Sequence, residues 1–226
     1  MPILMVIRRQ RLRAANGQMS DERTNKNFYF IGGYLCLDLI NTQIVEGGRP
    51  VDLLTDFGDF VSWLLQARVL DAGMAKELIG TWGGTREAER TFNRAVDFRA
   101  ALRHMMERIV HGKSAPQTAI ARINELLHNQ VGHTEIKRAK GGFEKHFQAD
   151  FQEPIHLLWP VAESAGDLLT YGELSLIKKC ENAACVLFFY DTTKNHSRRW
   201  CSMSACGNRM KVAAHYRRLR TSTPTS

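Results

Sequence analysis

Four of the five cysteines fall within 27 positions near the C-terminus, as Cys180-x4-Cys185 and Cys201-x4-Cys206 with fifteen residues between the pairs. Two paired knuckles at that separation are the sequence form of a zinc site: each pair supplies two thiolates from a tight turn, and the segment between folds back to complete a tetrahedron. Four-residue gaps lie at the long end of the usual range, so the knuckles are looser than most. All four donors are sulfur, which leaves no open position for substrate or activated water, so the expected Zn2+ is structural. A module this short cannot bury enough apolar surface to hold its shape, whereas zinc supplies on the order of 10 kcal/mol to such folds. Two other readings of the cluster stay open: four unrelated buried cysteines, or a thiol–disulfide switch that releases zinc on oxidation. Cys36 stands alone between Leu35 and Leu37 and reads as a small buried hydrophobe rather than a nucleophile. An odd cysteine count without an export signal favours the reducing cytoplasm over a disulfide framework.

Charge is distributed unevenly. From Thr192 onward there are eight Lys or Arg and no Asp or Glu, and residues 1–26 carry six basic against two acidic side chains. With +8 overall, residues 27–191 hold a net −4. An acidic body with a basic tail raises the prior for a polyanionic partner of the tail, set against the plainer alternative of a solvated charged end. No apolar run approaches the length of a membrane span. The apolar opening Met1–Ile7 is followed, not preceded, by positive charge, the reverse of a secretory signal. Residues 1–26 read as a flexible basic leader, with Met19 an alternative start.

The intervening chain predicts an α+β fold, mainly helical, with short strands and a hairpin, followed by a small treble-clef-like zinc finger. Phe28–Ile31 is strand-like and stops at Gly32-Gly33; Tyr34–Ile40 is a short helix; residues 43–52, with Gly47, Gly48 and Pro50, are a loop. Thr55 is placed to cap a helix carrying Phe57, Phe60, Val61, Leu64 and Leu65, and a second helix crosses Met74–Ile79. Thr85 caps the longest helix, with Phe92, Ala95, Val96, Leu102, Met106 and Ile109 on one side and Arg and Glu on the other, ending at His111-Gly112. Pro116 opens a further helix. Thr134–Ala139 and Phe143–Ala149 flank Lys140-Gly141-Gly142 as a hairpin, and Pro154 and Pro160 lead into a helix through Leu169. In the finger, Val186–Tyr190 and Arg198–Cys201 are expected to pair as two strands, and residues 209–218 to form a helix with Val212, Tyr216 and Leu219 facing the body and Lys211, His215 and Arg218 facing outward. The boundaries expected are 1–26, 27–173, 174–220 and a 221–226 tail.

The string Asn195-His196-Ser197-Arg198-Arg199-Trp200-Cys201-Ser202-Met203, followed by Cys206-Gly207-Asn208-Arg209 and Lys211, resembles the CGNR zinc finger. Phe28-x-Phe30-x-Gly32-Gly33 with Leu35-Cys36-Leu37-Asp38-Leu39-Ile40-Asn41-Thr42 resembles the opening of the ABATE domain, the usual N-terminal companion of that finger in bacterial proteins described as stress-induced transcription regulators. The resemblance covers residues 27–219 and implies Zn2+ at the four cysteines and a role in transcription regulation.

The candidate nucleic-acid contacts are Lys194, His196, Arg198, Arg199, Arg209, Lys211, Arg217 and Arg218, because guanidinium and ammonium groups suit phosphates and guanine edges. Arg209 has an equal alternative role, bracing the knuckle. Trp200 is more often a core wedge than a stacking platform, and His196 is surplus to a site already filled by sulfur. Asp38, Asn41 and Thr42 are candidates for the pocket of a small-molecule effector, although Asn41 and Thr42 serve equally to terminate a helix. No nucleophile–base pair, phosphate loop or catalytic metal pattern is present, so no enzymatic activity is expected. DNA is the partner these features favour, with a protein-interaction adaptor, an RNA binder and an enzyme in the front domain as rivals and a homo-oligomer left open.

Overall fold

In the computed structural model, described for residues 26–139 and 141–212, the element that organises the core is a helix of only six residues. In α1 (Leu35–Ile40) all six residues are buried. A helix apolar on every side has to sit in the middle of a domain, and this one lies between α4 (Arg86–Val110) and α6 (Trp159–Tyr171). Thr85 caps α4 by accepting from the Ala88 amide, and His111 ends it. Its buried stripe runs through Ala88, Thr91, Ala95, Phe98, Leu102, Met105 and Met106. Around these pack α2 (Phe57–Gln66), α3 (Ala72–Trp82) and α5 (Gln117–Leu127). Phe30 and Phe60 each stack on Trp63, at 6.3 and 6.0 Å.

Among the described residues three short antiparallel pairs accompany the helices: β1 (Gln43–Glu46) with β2 (Arg49–Asp52), β3 (Gly132–Ala139) with β4 (Gly142–Ala149), and β5 (Ile177–Lys179) with β6 (Phe188–Tyr190). No helix among the described residues is long and apolar enough to cross a membrane.

Several local expectations are corrected. Residues 43–52 form the β1–β2 hairpin rather than a loop. Gly47 and Gly48, both at positive φ, supply the tight two-residue turn that matches strand twist. Phe28–Ile31 is not in a strand; Gly32 O instead accepts from the Tyr190 amide at 2.7 Å. Asp56 rather than Thr55 caps α2, accepting from Asp59 N, and Thr55 instead donates to the buried Asp59 carboxylate.

The largest departure is in α4. Arg and Glu were expected on its polar side, yet Arg99 is 1% exposed. It lies four residues after Ala95 and three before Leu102, on the apolar stripe itself. Its guanidinium meets both Asp52 carboxylate oxygens, at 2.7 and 2.5 Å, and the Thr42 hydroxyl at 2.7 Å. A charge buried in this way persists only when paired; the fork geometry of arginine fits the carboxylate on both oxygens.

Candidate metal centre

The finger begins as a hairpin wrapped around its first knuckle. β5 and β6 pair Ile177 with Tyr190 and Lys179 with Phe188, and Cys180 and Cys185 lie on the connection between them. The Cys180 amide donates to Leu187 O at 2.9 Å, and the Cys185 amide to Asn182 O at 2.8 Å. The expected pairing of Val186–Tyr190 with Arg198–Cys201 is therefore replaced by pairing of Phe188–Tyr190 with Ile177–Lys179, because the knuckle turns the chain back at once. Side chains alternate across a strand. Phe188 accordingly enters the main core, while Phe189 packs with Cys180, Cys201, Cys206 and Leu187 around the sulfur cluster.

The sulfurs of Cys180, Cys185, Cys201 and Cys206 all lie within 4.8 Å of one another. Cys185 to Cys201 is 3.8 Å and Cys201 to Cys206 is 3.6 Å. A tetrahedron with Zn–S bonds of ~2.3 Å has edges of about 3.8 Å, and a disulfide would need about 2.05 Å. The donor set therefore fits a closed, four-sulfur zinc site. Surrounding N–H groups fit it too: the Cys201 amide points at Cys180 Sγ (3.5 Å) and the Asn182 side-chain amide at Cys206 Sγ (3.4 Å). Donors of this kind stabilise thiolate and orient it.

Four thiols this close cannot all ionise unless a cation joins them. The hydrogen bond from Cys201 draws Cys185 down to about 5. Cys201 itself is pushed up, first by that same partner, and burial raises Cys180 to about 11. The zinc ion resolves this conflict by neutralising the cluster.

Cys206 sits in a wide turn, Met203–Gly207, in which the Gly207 amide reaches back to Ser202 O at 2.9 Å. A Cβ at Gly207 would lie 2.8 Å from Met203 Sδ and 3.4 Å from the Trp200 ring, so glycine lets both close over the turn. Residues 208–212 continue as helix.

A second device holds the basic loop between the knuckles. Asp191 is fully buried. Its carboxylate accepts from Lys178 Nζ (2.7 Å), Arg198 N (2.9 Å), Thr193 N (3.0 Å) and Thr193 Oγ1 (2.6 Å). Burial alone would raise this acid, but these donors outweigh it and hold the carboxyl far below the usual range. The sequence reading missed Asp191; an acid opening a Thr-Thr turn was the available signal.

The candidate contacts separate into two groups. Arg198 is turned inward: its guanidinium lies 4.1 Å over the Phe189 ring and donates to Trp200 O at 3.0 Å and to Cys201 O. It braces the finger instead of facing outward. Arg199 is 61% exposed, pairs with Glu181 at 2.6 Å and lies over Trp200 at 5.2 Å. Lys194, His196, Arg209 and Lys211 are exposed. His196 adopts φ 48, with its ring near Asp191 O at 3.2 Å. An open groove of about 590 Å³ runs between Lys194, Asn195, Arg199, Trp200, Met203 and Ile31. Val212 was expected to face the body and is 54% exposed. Arg217 and Arg218, with His215, Tyr216 and Leu219, lie outside the described residues.

Asp38, Asn41 and Thr42, the candidates for an effector pocket, are held buried inside the fold. Asp38 accepts from Gly32 N at 2.7 Å, and the Thr42 hydroxyl joins Leu39 O and Arg99. Asn41 accepts from Phe188 N at 2.9 Å and donates to Phe188 O at 2.8 Å. Asp38 and Thr42 thus bond within the body, while Asn41 ties the helical body to the finger hairpin. Arg103 adds to this grip, donating to Ile40 O (2.6 Å) and Val186 O (3.1 Å).

Fold and site together define a helical domain with a four-cysteine zinc finger built onto its core. Residues 33–172 match the ABATE family, described as "putative stress-induced transcription regulator", and residues 177–219 match the CGNR zinc finger. The chain belongs to the ABATE family, with a CGNR finger at its C-terminal end. No curated protein matches it.

Proposed function

We propose that this protein is a cytoplasmic transcription regulator that binds DNA through the finger, with zinc as scaffold and no chemistry of its own. The reading rests on one observation: the tail that carries eight Lys or Arg and no acid begins on a loop fastened by Asp191 and the four-sulfur centre. Lys194, Arg199, Arg209 and Lys211 are its outward cations, and Arg217 and Arg218 continue the same run in sequence. Such groups bind phosphate and release counterions, so affinity falls steeply with salt. The test is fluorescence anisotropy with a labelled pool of genomic DNA fragments. Arg209→Ala with Lys211→Ala should weaken binding about tenfold and lower the salt slope by about two, with zinc content unchanged. Equal affinity and slope in that variant would refute the reading.

A second reading, docking onto a protein, draws on exposed Met203 (50%) and Val212 (54%) beside the same cations. Co-purification of a protein after nuclease treatment, together with no affinity for duplex DNA or RNA, would favour it.

A further inference from the structure

The β3–β4 hairpin is built unlike the rest of the body. It pairs eight residues with eight, from Gly132↔Ala149 to Ala139↔Gly142, yet only its root is packed, where Phe147 meets Trp159 at 5.1 Å. An isolated two-stranded ribbon is marginal in water, so its exposed length requires a reason.

The two faces of the ribbon differ. Partners in register share a face, so Glu135, Lys137 and Glu144 lie on one side and Ile136, Arg138, Phe143 and Lys145 on the other. The first sets two acids against one base, with Lys137 and Glu135 paired at 2.8 Å. The second has no acid. On it Arg138 and Lys145 are exposed, Ile136 is 70% and Phe143 72% exposed, and Arg138 lies over the Phe143 ring at 5.5 Å. A Cβ at Gly141 or Gly142 would meet nothing within 4 Å.

We propose that this ribbon is a second DNA contact, an arm that lies in the major groove. Two strands ~4.8 Å apart enter a groove of about 12 Å, and eight residues extend about 25 Å along it. Arg138 and Lys145 neutralise phosphates or reach guanine edges, and Phe143 and Ile136 meet thymine methyls. The cation–apolar face with no acid selects a polyanion that also offers apolar edges. The inference rests on the reading of this protein as a DNA binder and adds a contact remote from the finger in sequence.

The experiment uses the full-length zinc-loaded chain and a labelled mixed-sequence DNA duplex. Arg138→Glu with Lys145→Glu is expected to weaken binding at least about tenfold and to lower the salt slope by about two. Arg138→Gln with Lys145→Gln, milder for the strands, is expected to give the same slope change. Phe143→Ser should cost about fivefold with the slope unchanged, because it removes an apolar contact. Lys137→Gln, on the opposite face, should stay within about twofold. Unchanged affinity in the ribbon variants, with loss in the Arg209→Ala/Lys211→Ala variant, overturns the arm and leaves the finger reading standing. Loss only in the ribbon variants supports the arm and overturns the finger. Ribbon-dependent binding to phosphatidylserine vesicles with DNA affinity unchanged, or a change in sedimenting mass as the sole effect, overturns the arm in favour of a membrane or a second copy.

Discussion

Asn41 carries more of the architecture than its place at the end of a six-residue helix would indicate. Both ends of its amide are bonded to the backbone of Phe188, 147 positions away, at a point where water is excluded. Asn41→Ala leaves a buried amide and a buried carbonyl unpaired, which should lower unfolding free energy by about 3 kcal/mol; urea titration measures this, and a change below about 0.5 kcal/mol would refute the role. Asp191 fastens the basic loop in a similar way. Its folded pKa is depressed, so its stabilisation is complete above the unfolded value of about 4 and is lost as pH falls below it. The loop should therefore loosen in acid, seen as His196 and Arg198 amide signals losing hydrogen-exchange protection. In Asp191→Asn that protection should already be low at neutral pH and change little on acidification. Cys36 is the contrasting thiol. Burial pushes it up to about 12, and it should stay unreactive toward a thiol reagent in the folded protein whether or not zinc is present.

At the level of elements, strand β6 divides its side chains between two cores, Phe188 into the helical body and Phe189 into the sulfur cluster. Zinc removal then affects more than the finger. A chelator should release one zinc per chain, expose Cys180, Cys185, Cys201 and Cys206 to thiol reagents, and free Phe189 and Arg198 from each other. Cys185→Ser should lose zinc affinity, whereas Cys36→Ser should keep the metal; comparing bound zinc in the two variants distinguishes ligand from core residue. The long helix α4 shows the converse division. Its arginines at 99 and 103 are four apart, so one face delivers one to Asp52 and Thr42 and the other to Ile40 and Val186.

For the whole molecule, the body and the finger form one cooperative structure rather than two beads. Lys179 pairs with Glu107 at 2.8 Å, and the Tyr190 amide reaches Gly32 O, so contacts cross the junction on both strands of the finger hairpin. Calorimetry should show a single transition that zinc shifts upward, and two separate transitions would contradict the shared core. Truncation before Cys180 should also lower the melting temperature of the body, since it removes Phe188 from the core; point variants of exposed cations are the cleaner test of nucleic-acid binding. Much of this was legible without coordinates. Helix positions, the Thr85 cap, the β3–β4 hairpin and the ligand set depend on residue periods, turn chemistry and cysteine spacing, all local in the chain. The β1–β2 hairpin was misread because Pro50 and two glycines look like loop punctuation until cross-strand partners are known. Arg198 was read as a candidate nucleic-acid contact because charge alone does not say whether a guanidinium meets solvent or the face of Phe189. Asp38, Asn41 and Thr42 stand out as polar residues in an apolar stretch, and a buried polar residue such as Asn41, tied to a distant backbone, has the same one-dimensional signature as a ligand pocket. Sequence by itself determined the zinc donors and the basic tail, because both are written in spacing and composition. Only the tertiary structure decided which polar groups are buried and paired, because desolvation depends on neighbours that are distant along the chain.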